Sequence, residues 1–450
     1  MKHYSTIALI VLAAVSVSCG KQIDSIRPKH AIFADQLTEG DLSKLTNGAR
    51  NQMENLTVTA WFNGDFLAED FEDGPGFSYS DVHATTQSPS SSMALSIWQS
   101  AFQKLATVNE LLAAANKATG ESAAVREAKG NAYFFRAWTY YILVQRYGGV
   151  PILREATTSV VPISPEGQVW DLIESDLTES LNYLDEFTSI YYPSKEAAWA
   201  FLAKVCLWRG KKSEAATWAG KVIDSGKFAL EDTSEGFAKM FINGTSTREA
   251  VFMLANNRTT DFRDIFSNVN DTDASWSYSP AAKCYQNLYS ALTAKSGDIR
   301  AAATFSPDDA MRLIKFPNGR SDAHQFVDNP NPMASPLMMW RLADMYLVKA
   351  EAEGPSAGLA TLKAFMEKRY ATVNLPDSMS EGDFQNLVLD ENHREFYGEG
   401  RRWFDIKRTG RTDLYDSWDG RDFLLYWPIP QDERDIAGHD NYPQNPGYSE

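Results

Sequence analysis

The sequence predicts a mainly α-helical fold with tetratricopeptide-like helix pairs and one large, irregular, loop-rich insertion. Three observations lead to this prediction. Apolar residues recur at every third or fourth position in several long segments, which is the spacing of one helix face. Two alanine-rich segments follow each other across a short link. Between residues 228 and 335 this periodicity fades, and Asn, Asp, Ser, Pro and Gly become frequent.

The first two helix predictions lie in the N-terminal half of the chain. One helix face is formed by Trp98, Phe102, Leu105, Val108 and Leu112. A second helix is predicted over residues 122–147, because its later half is apolar on nearly all sides, which is typical of a buried helix. Two glycines and then Pro151 follow it, so we expect the helix to end there.

A third helix is predicted over residues 166–187, and a close pair of helices over 194–209 and 213–226. Small residues recur in this pair, namely Ala203, Gly210, Ala215, Ala216 and Ala219. Small side chains let neighbouring helices approach closely, as they do in tetratricopeptide repeats. Because the repeats are irregular, the sequence predicts a right-handed helical scaffold rather than a regular array.

The rest of the chain is predicted to contain the insertion and a helical end. Residues 228–335 are interpreted as loop-rich and ligand-binding, since loops on a rigid scaffold often carry binding sites. Helices are predicted again over 336–353, 356–370 and 382–398, before an irregular tail. Residues 41–450 are thus predicted to form a single domain, with a helical repeat part (41–227), the insertion (228–335) and a C-terminal part (336–450).

The N-terminus has the pattern of a secretion signal. A charged start precedes an apolar run from Ile7 to Val17, which is too short to span a bilayer, and small residues lead to Cys19. We predict a lipoprotein signal peptide over residues 1–18, lipidation of Cys19 and a lipid-anchored tether over residues 19–40. The alternative is an ordinary secreted protein with a free cysteine.

Charge and cysteine content narrow the possible functions. The chain has 450 residues and a net charge of −16; without residues 1–18, which contain one lysine, the charge is −17. An acidic protein of this kind is disfavoured as a partner of nucleic acid or of an anionic membrane surface. After Cys19 only Cys206 and Cys284 remain, so there is no disulfide framework.

The sequence contains no catalytic or cofactor-binding motif. Its six histidines are scattered, and there is no zinc motif, phosphate-binding glycine loop or Gly-x-Ser-x-Gly elbow. We therefore predict a protein that is not an enzyme, with no cofactor and no metal site. Glu399 and Arg402, and likewise Arg401 and Asp405, have helical spacing and are interpreted as structural ion pairs.

Several motifs, in their order and spacing, resemble those of the SusD/RagB family of outer-membrane nutrient-binding lipoproteins from Bacteroidetes. They are NAYFFRAW (131–138), RYGGVP (146–151), AFLAK (200–204), WRLADMYL (340–347), REF and GEGRRWFD (394–405), WPIP (427–430) and QNPGY (444–448). The resemblance implies a helical fold with tetratricopeptide-like repeats and a place on the outer leaflet. It also implies a SusC-like TonB-dependent transporter as partner, on which the lipoprotein acts as a lid.

An oligosaccharide is the predicted ligand. Sugar rings stack on flat aromatic side chains, while polar groups bind their hydroxyls. Two regions, interpreted as loops, combine both: residues 61–79 and residues 268–278. In an extended segment Trp276 and Tyr278 would point to the same side, as a stacking surface requires.

The candidate ligand-binding residues are Trp276, Tyr278, Asn270, Trp61, Tyr79, Asp73 and Trp98. Trp98 is included because binding sites in the resembled family often have an aromatic residue near that position, although its spacing favours the core. The alternative for every aromatic candidate is packing into the core. Two other functions stay open: a peptide-binding, RagB-like nutrient receptor, and a helical-repeat scaffold of the envelope.

Overall fold

The structure is a computed structural model that describes residues 38–73, 87–118, 120–155, 157–242, 247–254, 278–280, 288, 290–294, 297–305, 314–316, 335–415, 418 and 420–449. At positions 58, 61–63, 65, 66, 72, 73 and 278–280 the description covers the backbone alone. The predicted signal peptide and Cys19 lie outside these ranges. Among the described residues, no helix has both the length and the apolar character that crossing a membrane requires.

Three long helices form the N-terminal part: α1 (Glu39–Leu67), α2 (Ser92–Lys117) and α3 (Ala123–Tyr147). The helices α2 and α3 confirm two predictions. Ser91 and Ser122 cap them, each side chain accepting a backbone N–H from the first turn. As predicted, α3 ends at Gly148, whose positive φ of 70° suits glycine. The sequence analysis predicted no helix over α1, which packs against both of the others.

The next three helices are α4 (Glu166–Ser180), α5 (Lys195–Trp208) and α6 (Lys212–Asp224). The predicted close pair is confirmed by α5 and α6, and Ala203, Ala215 and Ala219 are fully buried. The prediction for α4 was too long. This helix ends at Ser180, whose hydroxyl donates to the Leu177 carbonyl oxygen at 2.7 Å, and residues 181–183 form a turn.

In the part of the chain that the structure describes, three small antiparallel sheets pair separate segments. Their strands are β1 (Phe71–Asp73) with β5 (Tyr278–Pro280), β2 (Val150–Pro151) with β3 (Ile163–Ser164), and β4 (Ala250–Leu254) with β6 (Leu337–Arg341). The strand β6 corrects the predicted helix start at residue 336. The strand β4 is an apolar run, and β6 is apolar up to its last residue, Arg341. Both strands are buried along their whole length, so sheet pairing satisfies their backbone inside the core.

The remaining helices are α7 (Ser234–Lys239), α8 (Ala301–Thr304), α9 (Leu342–Met366), α10 (Glu381–Phe396), α11 (Arg402–Thr409) and α12 (Gln431–Ala437), with 3₁₀ turns at Thr412–Leu414 and Asp422–Leu425. The backbone of α9 breaks at Gly354, which has φ 68° and precedes Pro355. This break confirms the two separate helices that the sequence predicts on either side of it. The helix α10 agrees with the prediction over residues 382–398.

An aromatic cluster fills the core between α3, α5, β4 and β6. Phe201 and Trp340 stack with their ring centroids 4.7 Å apart, and Phe134 meets Trp340 edge-on at 5.9 Å. Phe252 completes the cluster against Trp340 at 6.1 Å. These side chains are almost completely buried, and each contributes about 1.5–3 kcal/mol through removal of apolar surface from water.

Candidate ligand-binding site

The two regions that the sequence predicts to bind ligand meet in the structure. The strand β1 belongs to the first region, and β5 begins in the second. Their antiparallel pairing places Asp73 opposite Tyr278, although more than 200 residues separate them in sequence. Two of the predicted site residues therefore occupy opposed positions in one sheet.

The beginning of the first region is helical, which corrects the prediction of a loop there. Trp61 lies in the last turns of α1, and Gly64 packs against the backbone of Gly400. A Cβ at position 64 would come within 2.0 Å of the Gly400 carbonyl oxygen. The glycine thus permits close contact between α1 and the turn before α11, and it does not serve the approach of a ligand.

The strand β1 is held at its start by the end of α10. The carboxylate of Asp70 is 2.9 Å from His393 Nε2, and the Asp70 carbonyl oxygen accepts the Tyr397 hydroxyl at 3.1 Å. The Phe71 ring stacks on the Tyr397 ring at a centroid distance of 5.3 Å. The entry to the sheet is consequently fixed by two polar contacts and one aromatic contact.

A buried group of charged side chains surrounds the same end of α10. It contains four cations, Arg300, Lys315, Arg341 and Arg369, and five carboxylates, Glu249, Asp298, Glu391, Glu395 and Glu399; we refer to it as the charged cluster. All nine side chains are almost completely buried. Arg341 belongs to β6, and Glu391 and Glu395 belong to α10. The other members come from connecting segments, among them Glu249 just before β4, so the cluster joins parts of the chain that are distant in sequence.

Glu395 is the centre of the charged cluster. Its carboxylate accepts hydrogen bonds from Arg369 Nε at 2.9 Å and from Arg300 Nη1 at 3.2 Å, and it also binds Arg341. Burial favours the protonated form, but the guanidinium groups of Arg369 and Arg341 outweigh it and hold the pKa of Glu395 well below its usual value.

Arg300 and Lys315 attach two segments of the predicted insertion to α10. Arg300 donates to Asp298 at 2.9 Å and to Glu391 at 3.1 Å, which fixes residues 297–305. Lys315 Nζ donates to Glu399 at 2.7 Å and to the Tyr397 carbonyl oxygen at 2.9 Å, which fixes residues 314–316. Burial lowers the pKa of Lys315 to about 8, although the Glu399 carboxylate opposes that shift.

The charged cluster is suited to holding structure rather than to acid–base chemistry. Each of its carboxylates accepts at least one hydrogen bond from a cation of the cluster. Among the described residues, no group of three or more His, Cys, Asp and Glu side chains could hold a metal ion. The arrangement therefore offers rigid support to the neighbouring β1–β5 sheet.

The remaining predicted site residues have different outcomes. Trp276, Asn270 and Tyr79 lie outside the described residues. Trp98 is 1% exposed and packs edge-on against Tyr147 at 5.0 Å, so its ring belongs to the core and we withdraw it as a ligand contact. The helical periodicity, which favoured a core position for Trp98, therefore predicted its environment better than the family resemblance did.

The charged cluster is the feature that sequence reasoning mostly missed. Helical spacing correctly drew attention to the motif around Glu399, but the observed partners are remote. Arg401 binds Asp344, and Glu399 binds Lys315 and Arg341. Asp405 is the exception, since its carboxylate accepts from Arg408 Nη2 at 3.1 Å, three residues along the same helix. Partners more than fifty residues apart in sequence leave no spacing signal, so the cluster could not be assembled from the sequence.

Two family profiles match the chain. One, described as "Starch-binding associating with outer membrane", matches residues 39–207, and the other, described as "SusD family", matches residues 285–424. Together they cover more than half of the sequence, including most of the charged cluster. The chain belongs to the SusD/RagB family.

Two named proteins with similar sequences support membership of this family. SusD-like protein P2 of Formosa agariphila is 27% identical over the whole length of both chains. The starch-binding protein SusD of Bacteroides thetaiotaomicron is 32% identical over 36% of this SusD/RagB chain and 30% of its own length. The first of these likenesses extends over the complete family fold, and the second covers only part of it.

Solved structures of the SusD superfamily share the fold. A putative sugar-binding protein from Bacteroides vulgatus has a TM-score of 0.75 at 21% identity, covering 91% of this chain and 98% of its own. A laminarin-binding SusD-like protein has a TM-score of 0.71 at 20% identity, covering 92% of this chain and 100% of its own. The mainly helical SusD-like fold predicted from the sequence is thereby confirmed.

Proposed function

We propose that this protein is a cell-surface lipoprotein that captures a nutrient oligosaccharide and delivers it to a SusC-like TonB-dependent transporter. The observation that carries the proposal is the pairing of β1 with β5. It joins the two sequence regions that combine aromatic rings with polar groups, and it does so with Asp73 opposite Tyr278. Names of relatives add support, since one is a starch-binding protein and another binds laminarin.

Capture of this kind requires rigid presentation of the binding groups. A sugar exchanges hydrogen bonds with water for hydrogen bonds with protein, so little affinity remains if the site must first become ordered. In this protein the charged cluster and Tyr397 fix the backbone on which the sheet begins. We infer a binding protein without catalysis, in which aromatic stacking supplies affinity and polar groups supply selectivity.

The location and partner are further parts of the proposal. A profile description that mentions association with the outer membrane supports an envelope protein, and the Cys19 pattern supports a lipid anchor. The division into a repeat part, an insertion and a C-terminal part remains a prediction. The assignment of ligand-binding residues to the two joined regions also remains a prediction.

The decisive experiment is a calorimetric titration with a panel of oligosaccharides, laminarin and starch fragments included. Trp276→Ala should weaken binding to the preferred glycan by about fivefold or more, because loss of an aromatic stacking contact, as measured for stacked nucleobases, costs about 1–3 kcal/mol. Tyr192→Ala is the matched control, since Tyr192 is an aromatic residue that is half exposed and lies in neither predicted region.

Undiminished glycan binding by Trp276→Ala would remove the stacking surface from the proposal. Binding of short peptides with no affinity for any glycan would instead favour the RagB-like receptor. Co-purification of the native lipoprotein with a large β-barrel transporter tests the partner separately. Recovery with several unrelated envelope proteins and no transporter would favour the scaffold.

A further inference from the structure

A pocket of about 100 Å³ lies between α1, α3, α5, β6, the segment that leads into α11 and α11 itself. Its wall is largely aromatic, with Trp138, Tyr141, Trp340 and Phe404 among the lining residues. The volume is several times the ~10–15 Å³ that a single water molecule needs. None of the lining residues belongs to β1 or β5, so the pocket is distinct from the sheet that joins the two predicted ligand-binding regions.

The charges that line this pocket are almost all compensated. The six charged lining residues are Arg146, Lys204, Glu399, Arg401, Asp405 and Arg408. Lys204 and Arg401 both pair with Asp344. Arg408 pairs with Asp405 and Glu351, and Glu399 pairs with members of the charged cluster. Within the described part of the chain, only Arg146 of this set has no carboxylate partner.

Arg146 is a buried cation with an unused donor. Its side chain donates through Nη1 to the Ile142 carbonyl oxygen at 3.2 Å and through Nη2 to the Ala60 carbonyl oxygen. Its Nε has no hydrogen-bond partner, and the residue is 2% exposed. Burial without a counter-charge lowers the pKa of Arg146 to about 10.

Two aromatic rings pack against the Arg146 guanidinium group. One of them, Trp427, does not line the pocket, and its Nε1 is also buried without a hydrogen-bond partner. The guanidinium carbon of Arg146 lies 5.6 Å from the Trp427 ring centroid and 4.8 Å from that of Phe404. Since buried donors are nearly always paired in folded proteins, an unpaired donor on a buried cation without a carboxylate partner points to an acceptor with negative charge.

We propose that this pocket binds a small organic carboxylate beside the guanidinium group of Arg146, with its carbon chain against the aromatic wall. A guanidinium edge matches the two oxygens of a carboxylate. A carboxylate would supply the counter-charge that Arg146 lacks among the described residues. The aromatic wall favours a ligand with an apolar part over a simple halide ion.

The test uses the full chain and sodium acetate and sodium butyrate as probes. Each is compared with sodium chloride at equal ionic strength, by calorimetric titration and by thermal unfolding. We expect both carboxylates to bind and to raise the unfolding temperature above that in chloride. Butyrate should bind more tightly than acetate, by about fourfold for each CH₂ group that reaches the apolar wall.

Two variants and one control assign the effect to the pocket. Arg146→Met removes the cation, and Leu207→Phe fills the pocket from α5 while leaving Arg146 in place. Each should weaken butyrate binding at least about tenfold, the loss expected for a charge-assisted hydrogen bond. Arg434→Met is the control, because Arg434 is equally buried and also has an unpaired nitrogen but does not line the pocket.

Each result of this test either supports or overturns the proposed carboxylate site. Equal behaviour of carboxylates and chloride in the unaltered chain overturns the proposal, as does undiminished butyrate binding in Leu207→Phe. If Arg146→Met does not fold, Leu207→Phe decides alone. Glycan binding should be unchanged in Leu207→Phe, so failure of the carboxylate site and failure of the glycan site are distinguishable.

Discussion

The interior of this protein has two parts that differ in the forces that hold them. Around Phe201 and Trp340, aromatic rings from α3, α5, β4 and β6 pack against one another. Around Glu395, the interior consists of guanidinium, ammonium and carboxylate groups. Both parts exclude water, but only the second depends on the position of individual atoms and on charge balance.

The difference shows what each part contributes to function. An apolar core is roughly indifferent to small rearrangements as long as volume is preserved. A charged cluster is not, because every displaced donor leaves a buried charge without a partner. In this protein the charged cluster lies next to Tyr397 and β1, whereas the aromatic core lies within the helical frame. The charged cluster, the part of the interior that is more sensitive to rearrangement, thus supports the candidate binding site.

The largest effect is expected from one conservative substitution in each part. Glu395→Gln keeps the shape of the side chain but removes the charge shared by three arginines, and should lower the free energy of unfolding by about 3–5 kcal/mol. Phe201→Leu, the corresponding change in the aromatic core, should cost less, about 1–2 kcal/mol, because an apolar side chain of somewhat smaller volume remains in place. Urea denaturation at neutral pH measures both. Equal losses would contradict the distinction between the two parts.

A change of pH should affect the charged cluster and spare the aromatic core. The folded-state pKa values of Glu395 and Glu399 are lowered from 4.5, which is the ordinary value for an unfolded chain. A carboxylate with a lowered pKa stabilises the fold fully above its unfolded value and loses that contribution as pH falls through its folded value. We expect stability to fall below about pH 4.5, by on the order of 1–3 kcal/mol.

Urea denaturation of the unaltered chain and of Glu395→Gln at pH 7 and pH 3 provides the measurement. The difference between the two pH values should be smaller in Glu395→Gln, since one of the titrating groups is gone. Phe201→Leu should retain the full difference. If all three proteins lose the same stability on acidification, the charged cluster is not its source.

The two parts also differ in how well the sequence predicts them. Helical periodicity depends on neighbouring residues, so the apolar faces of α2, α3, α5 and α10 were predictable. So was the break of α9, because Gly354 and Pro355 are local signals. The helix α1 was missed, and β6 was interpreted as the start of a helix. A short apolar run has no periodicity that separates a buried strand from a buried helix.

The candidate site was predictable only in outline. Composition identified two regions rich in aromatic and polar residues, but nothing local indicates that Asp73 and Tyr278 lie opposite each other. The same limit applies to Glu395, whose partners Arg300, Arg341 and Arg369 come from three other segments. Contacts between residues that are far apart in sequence depend on the fold, and the sequence indicates them only through the family motifs.

The smallest expected effect tests the link between the charged cluster and the site. Tyr397→Phe keeps the stacking on Phe71 but removes the hydroxyl that donates to the Asp70 carbonyl oxygen. Loss of one such bond should cost about 0.5–1.5 kcal/mol. We expect faster hydrogen exchange at the amides of residues 70–73, and glycan affinity lowered by about twofold to tenfold if ordering of β1 is needed for binding.

Tyr448→Phe is the control for this last substitution. The Tyr448 hydroxyl also donates to a backbone carbonyl oxygen, that of Tyr426 at 2.7 Å, but it lies outside the charged cluster and β1. It should cost a similar free energy of unfolding and leave glycan affinity unchanged. Faster exchange over residues 70–73 in Tyr397→Phe without any loss of affinity would mean that the start of β1 does not position the ligand contacts. The charged cluster would then maintain the fold and have no direct influence on glycan binding.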